Sequence, residues 1–165
     1  MEKAVASQPR VYVETSVIGF LTSRPSSQLH VASKQRYTYE WWQDWRGSYE
    51  VYVSSVVLEE IGRGDASAAA ERAEVVKGIP VLRFTSEAVE LGKAIKAELG
   101  LPDHVEDDAY HMALASVHGM RYLLTWNLKH IANRENTLRL GRFLLDRDLE
   151  PPIMVTPQDL IDERE

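Results

Sequence analysis

The sequence contains no cysteine. That excludes disulfides, thiolate nucleophiles and cysteine-ligated zinc, and leaves oxygen and imidazole groups as the candidate metal ligands. Long apolar runs are also missing: nothing approaches the roughly 18 residues of a membrane-spanning helix, and the opening MEKAVASQPR lacks the apolar stretch of a signal peptide. A cytoplasmic protein without a membrane segment is the expectation. Positive charge is in deficit, with 19 Lys and Arg against 25 Asp and Glu and a formal net charge of -6. Long-range attraction of the whole molecule to nucleic acid is therefore not expected, because phosphate binding draws on clustered cations. A local basic rim drawn from Arg24, Lys34, Arg36, Arg63 and Lys129 remains available. No Pro, Gly or Ser linker, internal repeat or low-complexity segment divides the 165 residues, of which 44% are hydrophobic. One domain spanning 1–165 follows, with 1–9 as a flexible extension.

What is present alternates between strand and helix patterns. VYV (11–13) reads as a first strand, and SSQLHVASKQRYTYEWWQDWRG as a helical stretch closed by Gly47, with its Trp cluster in the core. YEVYVSSVV (49–57) alternates and is rich in Val and Tyr, so it reads as a second strand running into a short helix, LEEIGRG. A helix from Asp65 to Gly78 precedes a third strand, PVLRF. The next helix, capped by Thr85 or Ser86, ends at Gly100. After the loop LPDHVE, the segment DDAYHMALASVHG is helical and feeds a strand, RYLLT (121–125). A helix within ENTLRLGRFLLDRD and a last strand, IMVT (153–156), complete the pattern. Such alternation implies a parallel α/β sheet.

Open sheets of this kind bind ligands beyond the carboxyl ends of their strands, near a topological switch point. The stretch VYVETSVIGFL places Glu14 at such an end, where a charge beside the core must be neutralised, paired or bound to a cation. Glu60 follows the second strand, Asp107 and Asp108 open a helix, and Thr125 and Asn127 leave the strand RYLLT. These groups can share one pocket. Carboxylates so gathered repel one another unless a cation compensates, and an oxygen-only ligand set suits Mg²⁺ or Mn²⁺.

Four segments, VYVETSVIGFL, SSVVLEEIGRG, DDAYHMALASVHGMRYLLTWNLKHI and PPIMVTPQDL, together resemble the PIN-domain ribonucleases, in particular the VapC-like toxins of toxin–antitoxin pairs. The resemblance implies a three-layer α/β/α PIN-like domain with a five-stranded parallel sheet in the order 3-2-1-4-5. It further implies a divalent-metal-dependent ribonuclease that hydrolyses RNA phosphodiester bonds. Position by position, it makes Glu14, Glu60 and Asp108 the metal-binding acids, with Thr125 and Asn127 at the threonine-x-acid position. Glu59, Asp107 and Ser16 rank below them as neighbours.

Two positions depart from the family pattern. Glu14 stands where Asp is usual and reaches farther by one methylene, roughly 1.5 Å. Asn127 replaces an acid yet still offers an oxygen, and His130 lies where some relatives carry another Asp. Three strong carboxylates imply one metal bound at rest. The resemblance also implies a cognate antitoxin protein and a homodimer as partners, besides the RNA substrate. The aromatic run Tyr37, Tyr39, Trp41, Trp42 and Trp45 is a candidate surface for such contacts, with core packing the ordinary alternative. Three other readings compete. The first is a PIN scaffold without catalysis that binds protein or RNA. The second is a zinc array of His104, Asp107, Asp108 and His111, against which His111 reads as a satisfied histidine in an apolar helix. The third is a receiver or phosphatase, whose Asp nucleophile after the first strand Glu14 does not match.

Overall fold

A computed structural model describes residues 7–164 of the chain. The first six residues of the expected N-terminal extension lie outside the described ones. Its last part is tied down: the Gln8 side chain donates to the Gly47 carbonyl at 3.0 Å, and the Pro9 carbonyl accepts from the Glu50 N–H at 2.9 Å.

Five parallel strands, β1 (Arg10–Val13), β2 (Glu50–Ser54), β3 (Val81–Leu82), β4 (Tyr122–Leu124) and β5 (Ile153–Val155), form one sheet in the order β3-β2-β1-β4-β5. This is the expected topology. The central strand is hydrophobic on both faces, with Val11, Tyr12 and Val13 all fully buried, as a sheet covered by helices on two sides requires. Its register pairs Tyr12 with Tyr52 on one side and with Leu123 on the other. Because β1 lies between β2 and β4, the chain leaves it at the point where the strand order reverses. Glu14 sits at that crevice, its N–H bonded to the Leu124 carbonyl at 3.0 Å.

Around the sheet lie α1 (Thr15–Thr22), α2 (Leu29–Glu40), α3 (Ser55–Ile61), α4 (Ala66–Val76), α5 (Ser86–Leu99), α6 (Glu106–Val117), α7 (Arg134–Leu145) and α8 (Pro157–Asp162). Most of these helices begin where a short polar side chain accepts a bond from the first turn: Ser54, Asp65, Thr85 and Asn133 each do so, and Thr156 closes a capping box with Asp159. Helix α6 has no side-chain cap. Three acids in its first turn, Glu106, Asp107 and Asp108, face the positive end of the helix dipole instead.

One sequence expectation is corrected. The predicted strand over 49–57 ends at Ser54, because the Ser54 hydroxyl accepts from the Val57 N–H at 3.2 Å and starts α3 there; the β-branched residues Val56 and Val57 then pack as buried helical positions. The residues after Glu14 form helix α1. The long helical stretch towards Gly47 is α2 followed by a π-helical turn over Trp41–Trp45. Trp41 and Trp42 are buried there, so core packing accounts for that pair, whereas Tyr39 points outward.

Candidate active site

Glu14 is both the end of β1 and the cap of α1. Its Oε2 accepts the Ser16 N–H at 2.5 Å, and its Oε1 accepts the Thr125 hydroxyl at 2.9 Å. It is only 4% exposed. Burial pushes its carboxyl above the usual range, while the neighbouring His111 and the hydrogen bonds from Ser16 and Thr125 pull the other way. Thr125, at the end of β4, also accepts the Asn127 N–H at 2.9 Å, so one hydroxyl couples β1 to the loop after β4. Ser16 completes this joint: its hydroxyl accepts the Trp126 N–H at 2.8 Å and lies 3.4 Å from the Thr125 hydroxyl.

Across the crevice, in the last turns of α3, Glu60 Oε1 accepts the Thr15 hydroxyl at 2.7 Å and pairs with His111 Nε2 at 2.5 Å. His111 projects from α6 with 1% of its side chain exposed. Its Nδ1 meets the Tyr12 hydroxyl at 2.6 Å, and that hydroxyl meets Ser54 Oγ at 2.7 Å. A continuous buried polar chain thus runs from the cap of α3 through β1 and α6 back to α3. Burial alone would lower the His111 pKa; the Glu60 hydrogen bond and the charges of Glu14, Glu60 and Asp108 outweigh it and leave the value raised. Burial likewise opposes ionisation of Glu60, and the His111 bond overrides it, so the Glu60 carboxyl is lowered. Both shifts favour the charged form of each partner. The same imidazole, when protonated, opposes the effect of burial on Glu14.

Asp108 lies one turn before His111 on α6. Its Oδ2 is buried and has no hydrogen-bond partner. Burial raises its carboxyl above the ordinary range, offset in part by the Asn127 amide, His111 and His130. An unpartnered buried carboxylate oxygen is a costly arrangement that asks for a donor or a cation. Asn127 is turned by its own role: Oδ1 accepts the His130 N–H at 3.0 Å, which leaves the amide nitrogen, not the oxygen, free for the acids.

The lower-ranked neighbours separate clearly. Glu59 faces solvent and pairs with Arg63 at 3.0 Å, and Arg63 also approaches Asp107 at 3.6 Å. Burial and then the Glu60 charge raise Asp107. His104 is exposed on a 3₁₀ turn before α6, whereas His111 is buried and bonded to Tyr12 and Glu60. Among the described residues, no group of three or more His, Asp or Glu side chains stands arranged as a preformed metal cage. Hydrogen bonds nonetheless join Glu14, Ser16, Thr125 and Asn127 on one side and Thr15, Glu60 and His111 on the other, and Glu14, Glu60 and Asp108 all act on His111. The donor chemistry fits a hard cation: carboxylate oxygens, one of them orphaned. Tyr12, Thr15, Ser54 and the positioning role of His111 were not legible as site features. Tyr12 and Ser54 lie in strand patterns that read as core, and only pairing β1 with β2 and α6 brings them together.

The sequence matches the PIN domain family over residues 11–135. No curated protein matches the chain. Among solved structures, VapBC2 from Rickettsia felis, bound to a DNA fragment from its promoter, is similar with a TM-score of 0.53 and 12% identity, covering 88% of this chain and 97% of that one. DNA-bound VapBC from Salmonella typhimurium gives a TM-score of 0.49 at 17% identity, over 91% of this chain and 99% of that one. Mycobacterium tuberculosis VapC20, a sarcin-ricin loop cleaving toxin, gives 0.49 at 20% identity, over 68% and 86%. With more than half of its length matched by the family, and with the strand order and crevice described above, the chain belongs to the PIN-domain family.

Proposed function

We propose that this protein is a divalent-metal-dependent ribonuclease, the toxin of a toxin–antitoxin pair, and that Glu14, Glu60 and Asp108 hold the ion. The observation that carries the reading is the buried, unpartnered Oδ2 of Asp108 in the same crevice as two further carboxylates. A divalent cation held there would make a bound water acidic and offset charge on the scissile phosphate. The chain's own groups do the positioning. Thr125 fixes Glu14 Oε1, Thr15 and His111 fix Glu60 Oε1, and Asn127 directs an amide donor towards the acids and an incoming phosphate. Mg²⁺ and Mn²⁺ suit this oxygen set.

A second reading has its own support. His111 already compensates Glu14 and Glu60 electrostatically, as a scaffold without metal chemistry would need. One experiment separates the two: thermal unfolding of the wild type and of Asp108→Asn, with and without millimolar Mn²⁺, alongside an RNA cleavage assay in metal and in excess chelator. A site whose Kd lies a hundredfold below the ion concentration adds about 2.7 kcal/mol, a rise of roughly 5–11 °C for a chain of this size. Asp108→Asn abolishes that rise, and without metal it loses little stability, because an amide relieves an unsatisfied carboxylate. A wild type that ignores the ion and cuts RNA equally well in chelator refutes the metal role.

The partners follow the same reading: an RNA substrate, a cognate antitoxin covering the crevice, and a second copy of the chain, the last tested by sedimentation. Among the described residues, no helix is long and apolar enough to cross a membrane.

A further inference from the structure

Between Thr15 and Tyr39 the chain carries Arg24, Lys34 and Arg36 and no Asp or Glu, although acids outnumber cations overall by 25 to 19. Helices α1 and α2 fold this acid-free stretch into one face. Among the described residues, none of its three cations is ion-paired, whereas Arg63, another candidate for a basic rim, is taken by Glu59 and Asp107. The face holds a groove of about 430 Å³ lined by Ser16, Gly19, Phe20, Arg24, Val31 and Gln35 among others. It continues past Phe20 towards Arg36 and Tyr39. Lys34 Nζ stands 5.8 Å from the Phe20 ring centre and 5.6 Å from that of Trp126.

The groove meets the acidic crevice at Ser16. Ser16 lines it and also donates its N–H to Glu14, while Trp126 binds Ser16 on one side and Thr38 of α2, at 2.7 Å, on the other. An aromatic ring with flanking unpaired cations is the arrangement that stacks a base and tracks a phosphate backbone. We propose that the α1–α2 groove is a nucleotide subsite for single-stranded RNA: Phe20 stacks on a base next to the scissile bond, and Arg24, Lys34 and Arg36 contact phosphates. This rests on the ribonuclease reading and adds the strand's path across the surface.

The test uses a short fluorescein-labelled single-stranded RNA of random sequence, with binding read by anisotropy in chelator so that no cleavage intervenes. Three phosphate contacts at a slope of about 0.7 each weaken binding roughly 18-fold between 50 and 200 mM salt. Arg24→Glu, Lys34→Glu and Arg36→Glu each flatten that dependence and weaken binding, and the triple variant removes most of it with an unchanged melting temperature. Phe20→Leu weakens binding without changing the slope, which separates stacking from charge. A triple variant that binds with wild-type affinity and slope overturns the subsite, as does a wild type that does not bind the RNA. So does a groove whose substitution spares RNA binding but releases a co-purifying protein partner, because the apolar lining then belongs to that partner. Cleavage of RNA in Mn²⁺ by the wild type is scored separately, so loss of the subsite and loss of the nuclease reading are told apart.

Discussion

Replacing His111 with leucine fills the space of the imidazole and leaves Glu60 and Tyr12 without their shared partner. Breaking a fully buried charge pair by removing one member costs about 3–5 kcal/mol. Here the Glu60 side chain keeps 22% of its exposure and can recover water, so the expected loss falls to the lower end, about 3 kcal/mol, including the orphaned Tyr12 hydroxyl. For a chain of this length that is a drop of roughly 6–12 °C in melting temperature. Glu60→Gln, which keeps a side-chain acceptor but removes the charge, costs about 1–2 kcal/mol. Because both substitutions destroy the same contact, the double variant loses less than their sum. The expected coupling is about 1–2 kcal/mol, measured by urea unfolding followed through tryptophan fluorescence near pH 6, where His111 is charged. Additivity within about 0.5 kcal/mol refutes the reasoning, since it means that the imidazole and the carboxylate do not hold each other. A coupling that persists undiminished well above the raised His111 value also refutes it, because the interaction would not depend on the imidazolium.

The pH dependence follows from the same pair. His111 is raised above its ordinary 6.5, so its contribution is complete below that value and is lost as pH rises through the folded value. Glu60 is lowered from 4.5, so its contribution is present above that value and is lost as pH falls through the folded one. Subtracting the melting curve of His111→Leu from that of the wild type across pH isolates a difference that is largest between these limits; a flat difference counts against the pair. Tyr12→Phe removes the hydroxyl that joins His111 to Ser54 and is expected to cost about 1–2 kcal/mol by urea unfolding, with no cost if water replaces it. Gly92→Ala brings a Cβ within 2.4 Å of the Tyr110 ring, where α5 packs on α6. Overpacking of about 1–3 kcal/mol exceeds the helix-propensity gain of about 1 kcal/mol, so a net loss is expected, and a rise in melting temperature refutes the close packing.

The parts of this molecule that could be read from the sequence are those governed by local chemistry. The strand cores, the caps at Asp65 and Thr85, and the closing glycines repeat rules that act over four or five residues. The strand limit at Ser54 was missed because Ser-Ser-Val-Val satisfies both a strand pattern and a helix start, and only the hydroxyl's bond to Val57 decides between them. The site divides in the same way. Glu14 and Thr125 stand out as polar groups at the ends of β1 and β4, and Glu60 and Asp108 as acids of α3 and α6, on the side where an α/β sheet gathers ligands. The answer to what compensates Glu14 was harder to read, since His111 sits 97 residues away within an apolar helical run and looks like a core histidine. It is a core histidine, and it is also the imidazole that pairs with Glu60 and lies beside Glu14. The two descriptions agree once Tyr12 is placed on the central strand beneath it, for that hydroxyl holds the ring so that its other nitrogen meets Glu60. A carboxylate pocket with its own internal imidazole can remain folded without metal and still leave Asp108 wanting a partner. That difference in satisfaction between neighbouring acids is what makes a response to added ion, measured on Asp108 first, the informative property of this crevice.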